Sequence, residues 1–404
     1  MAQPQAGSRG GVDTAAAGAG APLRLPASGR RPARRRATGQ AAAALARARP
    51  ALLAYAAVRA LGLALALART DRSALDLLAG RWDSAWYLLI AEQGYAGSCP
   101  AQGELCRYAF FPLYPVLIRT AATLTPLPAP WAALLLSLTA SGVAAWGVYA
   151  VAERCAGRRT AFIATVLWGV LPHAVVESMA YTESLFTALA AWALYAVLTG
   201  RWPAAGALAC LAGLTRPTGI AVAAAVGVSA LLALRARPLP RRPALALALA
   251  PLGWLGWVAW TGVRAGRWDG YFVVQRRWGS YVDGGAYTWD RLGRLFARPE
   301  TPLSAAAVAA VLAGAAVLLV VCVLQRWPLP LLVHSGLTLL ITVGGAGYFH
   351  SKGRFLLPAF ALLLPVAAAL GRARPGVLRA VLLPAAVVSG LFGGHLLLVA
   401  GHSP

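Results

Sequence analysis

The chain has 404 residues, of which 59% are hydrophobic and 12% charged, with a mean hydropathy of +0.63. Soluble domains carry roughly 25% charged residues, so this composition excludes an ordinary soluble protein. The formal net charge of +24 is spread between apolar runs rather than gathered on one patch, and no nucleic-acid partner is expected.

The first 49 residues are rich in Ala, Gly, Pro and Arg, hold nine arginines and show no apolar periodicity. They read as a disordered basic cytoplasmic tail (1–49) that orients the chain and is attracted to anionic membrane lipid. Residues 50–404 form the membrane domain. Apolar runs follow at about 50–68, 129–152, 160–176, 183–199, 203–215, 217–234, 243–263, 304–324, 328–346, 355–370 and 380–400. A membrane helix needs about 20 apolar residues, and these continuous Leu/Ala/Val runs lack the alternation of a barrel strand. The fold class is therefore all-α: a polytopic transmembrane helical bundle of about eleven spans, multi-pass in the cell membrane. Arg216-Pro217 reads as a break, either a loop or the turn of an embedded hairpin.

Placing the N-terminus in the cytoplasm makes the short connections carrying Arg154, Arg158, Arg159, Arg201, Arg235, Arg237, Arg241, Arg242, Arg326, Arg372, Arg374 and Arg379 cytoplasmic, as the positive-inside rule requires. Eleven of the 13 acidic residues then fall on the opposite face, all but Asp13 and Glu153. The rule weighs only Lys and Arg, so this gathering of carboxylates is independent information and puts acid–base chemistry on the extracytoplasmic side.

Two extracytoplasmic loops are long, at about 69–128 and 264–303. In the first, Asp83 to Tyr95 reads as an interfacial helix with Trp82, Trp86, Leu89 and Ile90 on one face. Trp86 suits an aromatic anchor at the membrane surface. Asp83 reads either as a catalytic carboxylate or as a helix N-cap. Cys99 and Cys106 lie in the same loop, on an oxidising face, and are expected to form a disulfide. Cys155, Cys210 and Cys322 read as reduced packing residues.

Four segments hold the unusual polar residues: Arg81 to Tyr95; Tyr108 to Pro115; His173 to Ser184; and Tyr348 to Phe355. Arg216 joins them. Arginine suits phosphate because its planar fork binds two oxygens at once.

Arg81-Trp82-Asp83, Ile90-Ala91-Glu92-Gln93-Gly94-Tyr95 and Ala109-Phe110-Phe111-Pro112-Leu113-Tyr114-Pro115 resemble motifs of the PIG-V family of mannosyltransferases. Tyr181-Thr182-Glu183-Ser184-Leu185-Phe186, Leu214-Thr215-Arg216-Pro217-Thr218-Gly219 and Arg354-Phe355-Leu356-Leu357-Pro358-Ala359-Phe360 resemble the motifs that follow, in the same order over about 80–360. The resemblance implies a C-type glycosyltransferase. Such an enzyme takes a sugar, mannose by this likeness, from a polyprenyl-phosphate donor to a lipid or protein acceptor on the extracytoplasmic face. It implies Asp83 as catalytic base, with Arg81, Trp82, Glu92, Tyr181, Glu183, Arg216, His350, Lys352 and Arg354 binding substrate.

From the residues alone, Arg216 and Glu183 also read as a buried ion pair between spans, and His350 as an interfacial histidine. Asp83, Glu92 and Glu183 lack metal-site spacing, so no metal ligands are assigned; a divalent cation is the one cofactor the resemblance leaves room for. The alternative function is a transporter or flippase of a lipid-linked molecule, which would place its polar residues near the bilayer midplane on broken helices.

Overall fold

A computed structural model describes residues 34–68, 70–95, 105–235, 241–297 and 302–404. The described chain is helical throughout. Its one β feature among the described residues is an isolated antiparallel bridge between Val282 and Gly345.

Helix α1 (Arg34–Leu67) runs through Pro50. It starts well inside the segment expected to be a disordered tail, because Ala and Arg around position 45 are strong helix formers. After α1 come α2 (Ala74–Ala79), α3 (Asp83–Gln93) and α4 (Leu113–Leu124). The first long loop is thus largely helical, and α4 is an apolar helix in its own right.

Helix α5 (Ala129–Gly169) contains one residue outside helical geometry, Gly157 at φ 81°. The Tyr55 ring stacks on Trp168 at 5.4 Å while its hydroxyl bonds Ser141. In a straight helix Ser141 and Trp168 would lie about 40 Å apart at 1.5 Å per residue. The two arms of α5 therefore double back at Gly157, a turn whose positive φ favours glycine.

Next come α6 (Glu183–Leu198), α7 (Trp202–Gly213), α8 (Gly219–Ala233), α9 (Arg241–Leu249) and α10 (Leu252–Arg264). The second long loop forms α11 (Gly270–Arg277) and α12 (Ala286–Ala297). The chain closes with α13 (Leu303–Leu324), α14 (Leu329–Gly344), α15 (Lys352–Phe355), α16 (Leu364–Arg372) and α17 (Pro375–Leu398).

Five stretches are long and apolar enough to cross a membrane: Ala42–Leu67, Ala129–Gly169, Arg241–Arg264, Leu303–Leu324 and Pro375–Leu398. The run expected as one span at 355–370 is instead broken, its halves Phe349–Phe355 and Phe360–Arg372 bent by 74°. Pro358 explains the break, since it lacks an amide proton and pushes its predecessor out of the α region.

The arginine-bearing connections meet at one end of the bundle. Arg47 and Arg158 each lie 3.4 Å from Glu153, and Arg159 donates to the Ala373 carbonyl at 2.6 Å. From this basic end the central helices rise only a short way. At 1.5 Å per residue, α7 is about 18 Å long and α6 about 24 Å, against about 30 Å of bilayer hydrocarbon. At their other ends α6 begins at Glu183 and α7 leads to Arg216.

The two long loops pack on one another over the Glu183 end, where Tyr87 bonds Thr182 at 3.2 Å, and form its roof. Trp86 stacks on Phe110 at 5.8 Å and meets Trp278 edge-on at 5.0 Å, and Trp278 donates its indole N–H to the Cys106 carbonyl at 3.0 Å. Trp86 is thus a clasp between loops rather than a lone membrane anchor. The buried stripe of α3 is Ser84, Tyr87, Ile90 and Ala91, rotated from the expected Trp82, Trp86, Leu89, Ile90 stripe because the Tyr87–Ala91 face packs on α4 and α5, against Tyr114, Ile118 and Ala133.

Cys155, Cys210 and Cys322 carry free thiols and Cys106 is disulfide-bonded, while Cys99 lies outside the described residues. Alkylation of the denatured, unreduced protein is expected to add three labels; five would refute a Cys99–Cys106 bond.

Candidate active site

The site is built from four elements that meet under the loop roof. Asp83 is the first residue of α3, Glu183 the first of α6. Arg216 sits in the turn between α7 and α8, and Arg354 in the short helix before the Pro358 break. Arg354 Nη2 lies 2.7 Å from Asp83 Oδ2, and its Nη1 lies 3.3 Å from Glu183 Oε1. Arg216 Nη1 lies 2.6 Å from Glu183 Oε1 and donates to Thr182 Oγ1 at 2.8 Å. Two carboxylates and two guanidiniums thus alternate in one chain of contacts with no net charge.

The buried ion pair read from Arg216 and Glu183 is present, as one link of this larger quartet. The N-cap reading of Asp83 is overturned: the cap position is Trp82, with no side-chain cap bond, and the Asp83 carboxylate goes to Arg354 instead.

Burial separates the members. The side chains of Glu183, Arg354 and Arg216 are 1%, 5% and 12% exposed, while Asp83 is 28% exposed. Asp83 is the edge of the quartet that opens outward. The guanidiniums are also held from the side by aromatic faces. Arg354 lies 4.9 Å from the Tyr181 ring, and the Phe355 ring lies 5.3 Å from Arg354 and 5.6 Å from Arg216. Such contacts fix a cation in place without consuming its N–H donors.

Backbone strain gathers here. Only Trp82, Arg326 and Tyr348 among the described non-glycine residues have positive φ. Trp82 immediately precedes Asp83, and Tyr348 immediately precedes the helical turn leading to Arg354. Such conformations cost on the order of 1–3 kcal/mol and persist where surrounding structure enforces them, often at functional sites. The Arg354 turn is also pinned from behind. A Cβ on Gly353 would lie 2.1 Å from His173 Cε1, so the buried imidazole packs directly on the glycine backbone.

The other expected site residues are placed as follows. Tyr181 is buried beneath Arg354, as described. Trp82 is half-buried, with the Arg81 guanidinium 4.7 Å over its ring; Arg81 faces that ring rather than the quartet. His350 stacks on His402 at 4.1 Å, so a plain interfacial histidine is not what the fold makes of it.

Two expected residues lie outside the quartet's contacts. Lys352 Nζ donates to the carbonyls of Thr342 and Gly345 at 2.5 and 2.6 Å; it caps the last turn of α14, where a cation satisfies orphan carbonyls. Glu92 is exposed, more than two turns along α3 from Asp83, and takes no part in the cluster.

Sequence reasoning missed Thr182 and Phe355 as contacts of the arginines, although both lay inside quoted motifs. It also missed the C-terminal segment, where Ser403 Oγ lies 3.2 Å from the Tyr181 hydroxyl, and nothing in Gly401-His402-Ser403-Pro404 signals that. Arg59 was missed too, though a lone arginine in the first apolar run was a visible signal. It lies 3.7 Å from Glu177, which accepts from the Tyr55 hydroxyl at 2.8 Å. Among the described residues no three His, Cys, Asp or Glu side chains form a metal-holding group.

Outside the spans, Asp283 sets the start of α12, and its amide donates to the Gly344 carbonyl of α14 at 3.1 Å. Its carboxylate accepts the amides of Gly285 at 2.9 Å and Tyr287 at 2.7 Å, which holds its carboxyl below the usual range.

This arrangement defines a class: a helical membrane protein with an acid–arginine site where α3, α6, α15 and the turn between α7 and α8 meet. No protein-family model matches the chain, and no curated protein is significantly similar to it. Among solved structures, ArnT from Cupriavidus metallidurans bound to undecaprenyl phosphate is similar at a TM-score of 0.54 and 15% identity, over 86% of this chain and 77% of that one. ArnT in the apo state is similar at 0.54 and 16%, over 89% and 77%. The chain therefore has the fold of ArnT.

Proposed function

We propose that the chain is a membrane glycosyltransferase that moves a sugar from a polyprenyl-phosphate donor to the hydroxyl of a lipid or protein acceptor. The observation that carries this reading is the quartet itself: a half-open carboxylate, Asp83, on the buried Arg354, which is linked through Glu183 to Arg216, in a chain with the fold of ArnT. One ArnT structure holds undecaprenyl phosphate, which supports a lipid-phosphate ligand here. Mannose as the sugar and the PIG-V family rest on the motif resemblance.

In this reading Asp83 takes the proton of the acceptor hydroxyl as its oxygen attacks the anomeric carbon. The new bond to carbon forms as the bond to the phosphate oxygen breaks, and polyprenyl phosphate leaves as an anion. That leaving group needs cations more than a proton, and Arg354 and Arg216 are the cations in reach of Asp83 and Glu183. Donor binding adds negative charge to a quartet that has none to spare. Drawing Arg354 toward the phosphate unpairs Asp83, which becomes a better base when the donor is present. Arg354 lies on the broken helix that the transporter alternative also expects, so the choice of transfer rests on the half-open carboxylate beside the arginines rather than on placement.

The same reading puts the site on the extracytoplasmic face. Glu92→Cys is exposed and outside the quartet, so a membrane-impermeant maleimide is expected to label it in intact cells. Labelling only after permeabilisation would overturn the orientation.

A further inference from the structure

The side on which Asp83 opens is bordered by a turn that the proton-transfer account does not use. Arg354 reaches Asp83 at 2.7 Å, and Tyr348 and His350 stand just before Arg354 in the chain. Two routes of contact close on these two residues. One runs from Asp83 along α3 to Trp86, which meets Trp278 edge-on at 5.0 Å; the Trp278 carbonyl accepts from the Tyr348 hydroxyl at 2.6 Å. The other runs from Arg354 to the Tyr181 ring at 4.9 Å, and from the Tyr181 hydroxyl to Ser403 Oγ at 3.2 Å. The next residue back, His402, stacks on His350 at 4.1 Å. Tyr348 and His350 therefore border the Asp83 opening, and the charges of Asp83 and Arg354 act on both.

Tyr348 is locked in an unfavourable backbone state, with φ 48°. The Ala346 amide donates to the Tyr281 carbonyl at 2.7 Å, and a Cβ on Gly347 would collide with the Gly279 carbonyl. The turn is thus seated on the second loop. The Tyr348 hydroxyl is spent on Trp278, yet the residue is 36% exposed, so what it presents outward is ring. An aromatic face carries negative potential and attracts the C–H groups of a pyranose. His350 is fixed differently. Its stacking partner His402 is tied to Ser304 Oγ at 3.5 Å and to the Ser403 carbonyl at 3.3 Å. The His350 ring makes no hydrogen bond to a described residue. An imidazole is largely uncharged at neutral pH, and then presents one N–H donor and one acceptor, the pair that a hydroxyl satisfies.

We propose that Tyr348 and His350 form the sugar subsite of the donor. It seats an uncharged hexopyranose beside Asp83, with the C–H face of the sugar on the tyrosine ring and its hydroxyls on the imidazole, and His402 positions His350. This rests on the transferase reading and supplies what the quartet lacks. Arginines and carboxylates recognise a phosphate and a proton, but an uncharged ring needs an aromatic face and neutral hydrogen-bonding groups, and this turn brings both to the open carboxylate.

The test measures binding of three lipids to the full chain in nanodiscs: polyprenyl-phosphate mannose, its glucose counterpart, and polyprenyl phosphate without sugar. Wild type is expected to prefer at least one sugar-bearing lipid over the bare one by about tenfold, the scale of a hydrogen bond or two. Tyr348→Ala and His350→Ala should erase that preference and still bind bare polyprenyl phosphate as wild type does. His402→Ala should weaken the preference about threefold, and His402→Phe, which keeps the stack, should restore it. A preference left intact in Tyr348→Ala and His350→Ala, or no preference in wild type, would overturn the subsite and leave the transferase reading standing. Loss of the bare lipid along with the sugar-bearing ones in these variants would make the residues structural, and also overturn the subsite. Binding of none of the three lipids by wild type would overturn the transferase reading and the subsite with it.

Discussion

Asp83→Asn is expected to lower sugar transfer by about 10²–10⁴-fold, the usual contribution of a general base, while the protein remains folded and inserted. Asparagine keeps an oxygen that can accept from Arg354 Nη2, now 2.7 Å from Asp83, so the link to α3 survives. What is lost is the ability to take a proton. Steady-state transfer from a polyprenyl-phosphate sugar, measured beside the melting temperature, separates the two. Wild-type activity in the variant would remove Asp83 as base. A collapse of the fold would show that its carboxylate is structural first.

Arg354 carries the second large effect. It touches both carboxylates, and its side chain is 5% exposed. Arg354→Ala leaves Glu183 without one of its two cations and Asp83 without the only ion-pair partner shown for it. Removing one member of a buried pair costs about 3–5 kcal/mol, so this variant should be markedly less stable and inactive. Arg354→Lys keeps the charge but not the fork, and an ammonium cannot reach both carboxylates as the guanidinium does. It should fold, with stability nearer wild type, and lose about 10²–10³-fold in kcat/KM, the scale of one misplaced charge-stabilising donor. Chemical denaturation and kinetics on both variants check this. Equal stability in wild type and Arg354→Ala would contradict the ion-pair account, and full activity in Arg354→Lys would contradict the bidentate one.

Much of this site was legible in sequence because charges are scarce in a bilayer chain and each survivor invites a reason. Asp83, Glu183, Arg216 and Arg354 stood out that way, and the structure joins all four. Lys352 and Glu92 stood out equally, and the structure keeps both out of the quartet's contacts. Chain proximity to Arg354 says nothing about which way a long amine turns, and Lys352 turns to the carbonyls of α14. Glu92 shares a helix with Asp83 but lies more than two turns away.

The fold was readable where hydropathy alone decides, as in α13 and α17. The hairpin in α5 was readable too, because the runs 129–152 and 160–176 leave an arginine-bearing connection between them, and Gly157 makes the turn there. It was not readable where the break falls inside an apolar run, as in the bend of 74° before α16 at Pro358. The first loop hid α4 because its apolar stretch is short. The roof over the site depends on Trp86 meeting Phe110 and Trp278 across a long sequence separation, and no local pattern encodes that meeting.

The central claim, that the quartet transfers a sugar from a lipid phosphate, is tested most directly by donor turnover. The purified chain is placed in vesicles with a polyprenyl-phosphate mannose labelled in the sugar and with a membrane extract as acceptor source. The account predicts that label leaves the donor and polyprenyl phosphate accumulates with wild type, and that neither happens with Asp83→Asn. Label that stays on the donor with both proteins, or leaves it equally with both, would contradict it.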